Sequence, residues 1–121
     1  MVQRGVVLFA HGSRDPLWKQ PVEAISRRVA ELDASVQVRC AYLEWIDPDL
    51  SQCVEDLATS GVQQITIVPL FLGVGRHARE DLPRLVTDLA TRHPALEFSL
   101  QPSIGEQPAL IELVAQLVLS R

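Results

Sequence analysis

Two imidazoles and a carboxylate, His11, Glu44 and His77, each follow an apolar run in the chain. His11 closes Val6-Val7-Leu8-Phe9-Ala10, Glu44 closes Cys40-Ala41-Tyr42-Leu43, and His77 comes shortly after Val68-Pro69-Leu70-Phe71-Leu72. Nitrogen and oxygen donors of this kind suit a borderline divalent ion such as Fe(II), Co(II), Ni(II) or Zn(II). Three protein ligands leave positions on such an ion for water or for a donor atom of a substrate. A neutral imidazole, with an unperturbed pKa of about 6.5, also takes up a proton near neutrality. Singly, each residue has a plainer role: a histidine ending a strand can cap the next helix, and a glutamate there can be solvated rim. Their arrival at one edge is what gives them weight.

That arrival depends on the elements. Gly5–Ala10 is a continuous apolar run, as in a strand buried on both faces of a parallel sheet. Val22, Ile25, Val29 and Leu32 then recur at helical spacing. Val36–Leu43 alternates before turning apolar, which suits an edge strand. Asp47-Pro48-Asp49 opens a second helix with a capping Asx residue, Leu50, Val54, Leu57 and Ala58 form its inner face, and Gly61 stops it. Ile65–Leu72 is the third strand, interrupted at Pro69, which cannot donate to a ladder.

Gly73–Arg79 reads as a flexible loop with two glycines. Leu82, Leu85, Val86, Leu89 and Ala90 mark a third helix with Pro83 in its first turn. A short fourth strand covers Leu96–Gln101. The final helix is expected to bury Leu110, Leu113, Val114, Leu117 and Val118. Strands alternating with helices imply right-handed crossovers and a parallel sheet. The expected fold is α/β, a flavodoxin-like three-layer sandwich with a four-stranded parallel sheet in the order 2-1-3-4. Its switch point lies between strands 1 and 3, where open sheets bind ligands beyond the strand carboxyl ends. His11, Glu44 and His77 all fall on that rim.

The totals narrow the function. The chain has 121 residues, a net charge of −4 and 47% hydrophobic residues, which fits one domain spanning 1–121. Its acidity argues against general nucleic-acid binding. No leader pattern and no apolar run long enough for a membrane span is visible, so a cytoplasmic location is expected. Cys40 and Cys53 form no CxxC pair and read as small core residues. His93, in Thr-Arg-His-Pro, reads as a helix-end residue. The His-Gly-Ser-Arg-Asp-Pro loop has neither a Walker lysine nor GxGxxG, Ala10 stands where a histidine phosphatase needs arginine, and no GxSxG occurs.

Ala10-His11-Gly12-Ser13-Arg14, Ala41-Tyr42-Leu43-Glu44 with Pro48, Val68-Pro69-Leu70-Phe71-Leu72 leading to Gly75-Arg76-His77, and Asp81-Leu82-Pro83 together resemble the sirohydrochlorin chelatases of the small CbiX type. The resemblance runs to Pro102-Ser103-Ile104-Gly105 and Pro108. It implies metal binding and catalysis by His11, His77 and Glu44, and half of a two-lobed class II chelatase that pairs as a homodimer around a tetrapyrrole. The implied reaction is insertion of Co(II), Fe(II) or Ni(II), itself a substrate, into sirohydrochlorin or a close relative, for cobalamin or sirohaem biosynthesis, with no organic cofactor.

A polycarboxylate ring would need cations, and Arg14, Arg76 and Arg79, with Ser13 beside them, are the expected substrate contacts. Trp45-Ile46-Asp47 is bulkier than the family pattern. Two other readings use the same residues: a metal-binding or delivery protein without turnover, and a flavodoxin-like interaction module with incidental histidines.

Overall fold

β1 (Arg4–Ala10) owes its central place to Val7, Leu8, Phe9 and Ala10, all buried. It pairs in parallel with β2 (Val36–Tyr42) on one side and β3 (Gln64–Pro69) on the other, so that Leu8 lies level with both Cys40 and Val68. β4 (Glu97–Leu100) adds to β3, giving the sheet order β2-β1-β3-β4. This computed structural model describes residues 2–120. The fold class, the parallel sheet and the strand order are those expected from the alternation of patterns. β3 ends at Pro69, but the chain does not leave β1 there: the Leu70 N–H still donates to the Phe9 carbonyl at 2.8 Å.

The two faces of the sheet are covered unequally. α2 (Leu50–Thr59) and α3 (Arg76–Arg92) pack on the face carrying Val7, Phe9, Ile65 and Ile67, with Leu57 and Leu89 fully buried between the layers. On the other face, Leu8, Ala10 and Tyr42 lie under α1 (Gln20–Leu32), which contributes Val22. Thr66 and Val68 on that same face are only half-buried, and Ser99 is exposed.

Three expectations need correction. Gly73–Arg79 is not wholly loop: α3 begins at Arg76, and the Arg79 N–H closes its first turn on the Gly75 carbonyl at 3.1 Å. Arg76, His77 and Arg79 therefore stand on a helix. Pro83 lies inside α3 rather than in its first turn, a position that costs a backbone hydrogen bond.

The largest departure is α4 (Pro108–Leu119). No residue of it is buried; Leu113 is 53% exposed, Leu117 64% and Val118 76%. The periodicity correctly gave a helix. α4, however, makes its main contact with the adjacent 3-10 turn Ile104–Glu106, and most of its apolar side chains stay uncovered. Cys40 and Cys53 are unpaired, half-buried and buried respectively, as expected of small core residues. His93 caps α3 through its N–H to the Leu89 carbonyl.

Candidate functional site

Where β1 and β2 end, their pairing does not. The Leu43 N–H donates to the Ala10 carbonyl at 2.9 Å and the Glu44 N–H to the His11 carbonyl at 3.0 Å, so the ladder runs on past both strands. This close approach requires Gly12. Its φ is +101°, and a Cβ there would overlap the Glu44 carbonyl oxygen. The glycine of the His-Gly-Ser block thus lets two loops lie side by side with His11 and Glu44 level. Their side chains meet: His11 Nε2 is 2.9 Å from Glu44 Oε1, with each side chain about half exposed. Nε2–H donation to the carboxylate leaves Nδ1 with its lone pair, the arrangement by which a carboxylate orients a metal-binding imidazole.

His77 reaches the rim from the other side. It stands in the first turn of α3, and together with His11, Phe9, Leu43 and Phe71 it lines a cavity of about 720 Å³. The cavity lies between the ends of β1 and β3, at the switch point. Its floor is apolar, with Phe9 and Phe71 packed edge to face at 6.1 Å. The structure brings His11 together with Glu44, and His11 with His77 across a cavity. It does not close all three around one point: among the described residues, no group of three His, Cys, Asp or Glu is spaced to hold an ion. His11, held by Glu44, and the helical His77 line the same cavity from separate elements.

The expected substrate contacts separate likewise. Arg76 lines the main cavity and pairs with Glu80 at 3.2 Å. Arg14 lies over the Trp45 ring on the β2 side of His11. The Ser13 hydroxyl accepts the Asp15 N–H at 3.1 Å and shapes the loop. Arg79 lines a second, smaller cavity near Ser103 and Glu106, away from His11. Asp81, Arg84 and Asp88 also line the main cavity, and the sequence reading missed them. They recur with His77 at helical spacing along α3, a stripe obscured by treating residues 73–79 as loop.

An open parallel α/β domain with a ligand-sized cavity at its switch point, edged by a histidine–carboxylate pair, is of the class that works beyond its strand carboxyl ends. A family model described as CbiX matches residues 5–120, and the chain belongs to the CbiX family. The sirohydrochlorin cobaltochelatase of Methanopyrus kandleri is 38% identical over 81 residues, covering 67% of this chain and 57% of that protein. The chain thus matches less than two-thirds of that relative's length. The sirohydrochlorin cobaltochelatase of Methanococcoides burtonii is 28% identical over 97% of this chain and 92% of its own. Among solved structures, a putative cobalamin (vitamin B12) biosynthesis CbiX protein from Marinobacter aquaeolei superposes with a TM-score of 0.82 at 33% identity, covering 96% of this chain and 94% of that one. The cobalt complex of the sirohydrochlorin chelatase SirB from Bacillus subtilis shares the fold at a TM-score of 0.81 and 23% identity, with this chain covering 50% of it.

Proposed function

We propose that the chain inserts a divalent metal, Co(II), Fe(II) or Ni(II), into sirohydrochlorin or a close relative without nucleotide hydrolysis. The observation that carries this is His11, held by Glu44 at the end of the extended β1–β2 ladder and lining the same largely apolar cavity as His77. Its setting in a CbiX-family chain supports the substrate.

The reaction exchanges one M²⁺ for two pyrrole N–H protons, so the site must hold an ion loosely and carry protons away. His11 and His77 hold the incoming ion by imidazole nitrogen as water leaves it. As the ion leaves it, His11 Nδ1 takes up a pyrrole proton while its Nε2 proton passes to Glu44, so the imidazole stays neutral; with their hydrogen bond open, Glu44 can instead join the ligand set. Two protons leave through this pair and solvent as the ion passes to the ring nitrogens. Donors in separate halves suit an ion that is delivered rather than kept. Arg14 and Arg76 meet ring carboxylates from the two sides of the rim.

The test is anaerobic mixing of the protein with sirohydrochlorin and Co(II) or Fe(II), following the visible spectrum. The wild type should metallate the ring faster than the protein-free control. His11→Ala and His77→Ala should each fall by about 10²-fold or more, and Glu44→Gln by about 10–100-fold. A wild-type rate equal to the control with every metal overturns the reading in favour of metal carriage.

The chain works as a homodimer in this proposal, with α4 as the pairing element. α4 is apolar except for Glu112 and Gln116, which share one face and hydrogen-bond each other. The rest of such a helix belongs under cover, and each Leu or Val buried there contributes about 1.5–3 kcal/mol. The half-covered β3–β4 side of the sheet in a second copy offers that cover. Sedimentation should give twice the 13.4 kDa chain mass, and Leu117→Glu should shift it to monomer. A monomeric wild type at assay concentration removes the proposal.

A further inference from the structure

Trp45 has a placement that metal handling by His11, Glu44 and His77 does not require. Its φ is +77°, in the left-handed region, where a bulky side chain is disfavoured. A residue held there by its surroundings points to a use for its position. The ring does not serve the core, being 55% exposed. Instead, the Arg14 guanidinium carbon lies over it, 4.2 Å from the ring centroid. Among the described residues, no carboxylate lies within ion-pair range of Arg14. Stacking fixes the plane of a guanidinium while leaving its in-plane N–H groups free, the geometry in which arginine takes a carboxylate with two parallel hydrogen bonds.

The strand order places this pair. β2 lies on one side of β1 and β3 on the other. Trp45 follows β2, so Arg14 and Trp45 flank His11 on the side away from α3 and its His77. A flat polycarboxylate lying over His11 would reach the α3 side at one edge and the stacked guanidinium at the other.

We propose that Trp45 is a positioning residue: its ring holds Arg14 as a preset fork for one carboxylate of the tetrapyrrole. This rests on the chelatase reading above, and it gives the loop after β2 a part in holding the ring. The ring acts through Arg14, so the two residues form one unit.

The test compares Trp45→Ala, Trp45→Phe, Arg14→Ala and the Arg14→Ala/Trp45→Ala double variant. Each is assayed for steady-state metallation, and for metal-free binding of sirohydrochlorin by absorbance titration. Trp45→Ala should raise KM for the ring about 10-fold with kcat within about two-fold, and weaken metal-free binding equally. KM for the metal should not move. Trp45→Phe should recover most of the loss, because a phenyl face still stacks. The double variant should be no worse than Arg14→Ala alone, as residues acting through one contact are non-additive.

Losses that multiply in the double variant, or a Trp45→Phe as impaired as Trp45→Ala, overturn the stacking role. Normal wild-type turnover with an unchanged Trp45→Ala overturns this inference alone. A wild type that neither binds nor metallates the ring overturns the chelatase reading and this inference with it.

Discussion

The two sides of the rim are built to different standards of rigidity. On the β1–β2 side, backbone hydrogen bonds continue beyond the strands, Gly12 lets the loops touch, and His11, Glu44, Arg14 and Trp45 are each held by a neighbour. On the β3–α3 side the chain is tied as far as Leu72, with the Gly105 N–H and the Ser103 hydroxyl donating to the Phe71 carbonyl and Gly105 packed on the Leu72 carbonyl. Beyond it, a Cβ added at Gly73 or Gly75 would meet nothing within 4 Å. His77 rides on the helix that follows, whose first turn carries no side-chain cap. Under the proposed function, a site that takes an ion from water and passes it to a ring would use both: the fixed half would set the geometry and the proton path, and the open half would admit the substrates. The few contacts of residues 73–75 make that stretch the easier one to move.

This difference is most directly broken at its two glycines. Gly12→Ala forces a side chain into the Glu44 carbonyl at a φ of +101°. The β1–β2 extension cannot survive it unchanged, and the expected cost is on the order of 3–4 kcal/mol of stability. Metallation should be lost with it, because His11 and Glu44 part. Gly73→Ala, with no positive φ and open space around it, should change stability by no more than about 0.5 kcal/mol. Urea unfolding of the two variants beside the metallation assay checks both. Comparable destabilisation at Gly12 and Gly73 would mean that the halves do not differ in the way described.

The same contrast explains what could be read from the chain alone. The fixed half was legible because its determinants are local: an apolar run stopped by His11-Gly12, a second stopped by Glu44, and a parallel order that sets them side by side. The stacking of Arg14 on Trp45 was not, since it joins two loops 31 positions apart whose approach depends on the backbone path that Gly12 permits. The open half was misread because Gly73 and Gly75 look like a loop, while Ala78, Glu80 and Asp81 support a helix that starts at once. Its cavity-lining stripe, His77, Asp81, Arg84 and Asp88, disappeared with that choice. α4 shows a different limit. Apolar spacing identifies a helix that wants cover, but not whether the cover comes from the same chain.

A smaller effect would sharpen the comparison from beneath. The fixed half rests on β2 and α2, where Cys53 is buried and its thiol donates to the Cys40 carbonyl at 3.4 Å. Burial is the main cause that pushes the Cys53 thiol from 9.0 up to about 11, and it also raises Cys40. Burial likewise takes the Tyr42 hydroxyl to about 12. A thiol that stays protonated in the folded chain but ionises at about 9 once unfolded gives the native state the extra proton between those values. Stability is then full below about pH 9 and falls as pH rises toward 11. Denaturant midpoints at pH 7.5, 9 and 10.5 should decline in that order, and Cys53→Ala, though less stable at pH 7.5, should lose part of the slope. Alkylation of Cys53 in the native protein should stay slow until the same range is reached. A flat midpoint across it, or a Cys53→Ala slope equal to that of the wild type, would mean that the floor of the fixed half is more open to solvent than its packing indicates.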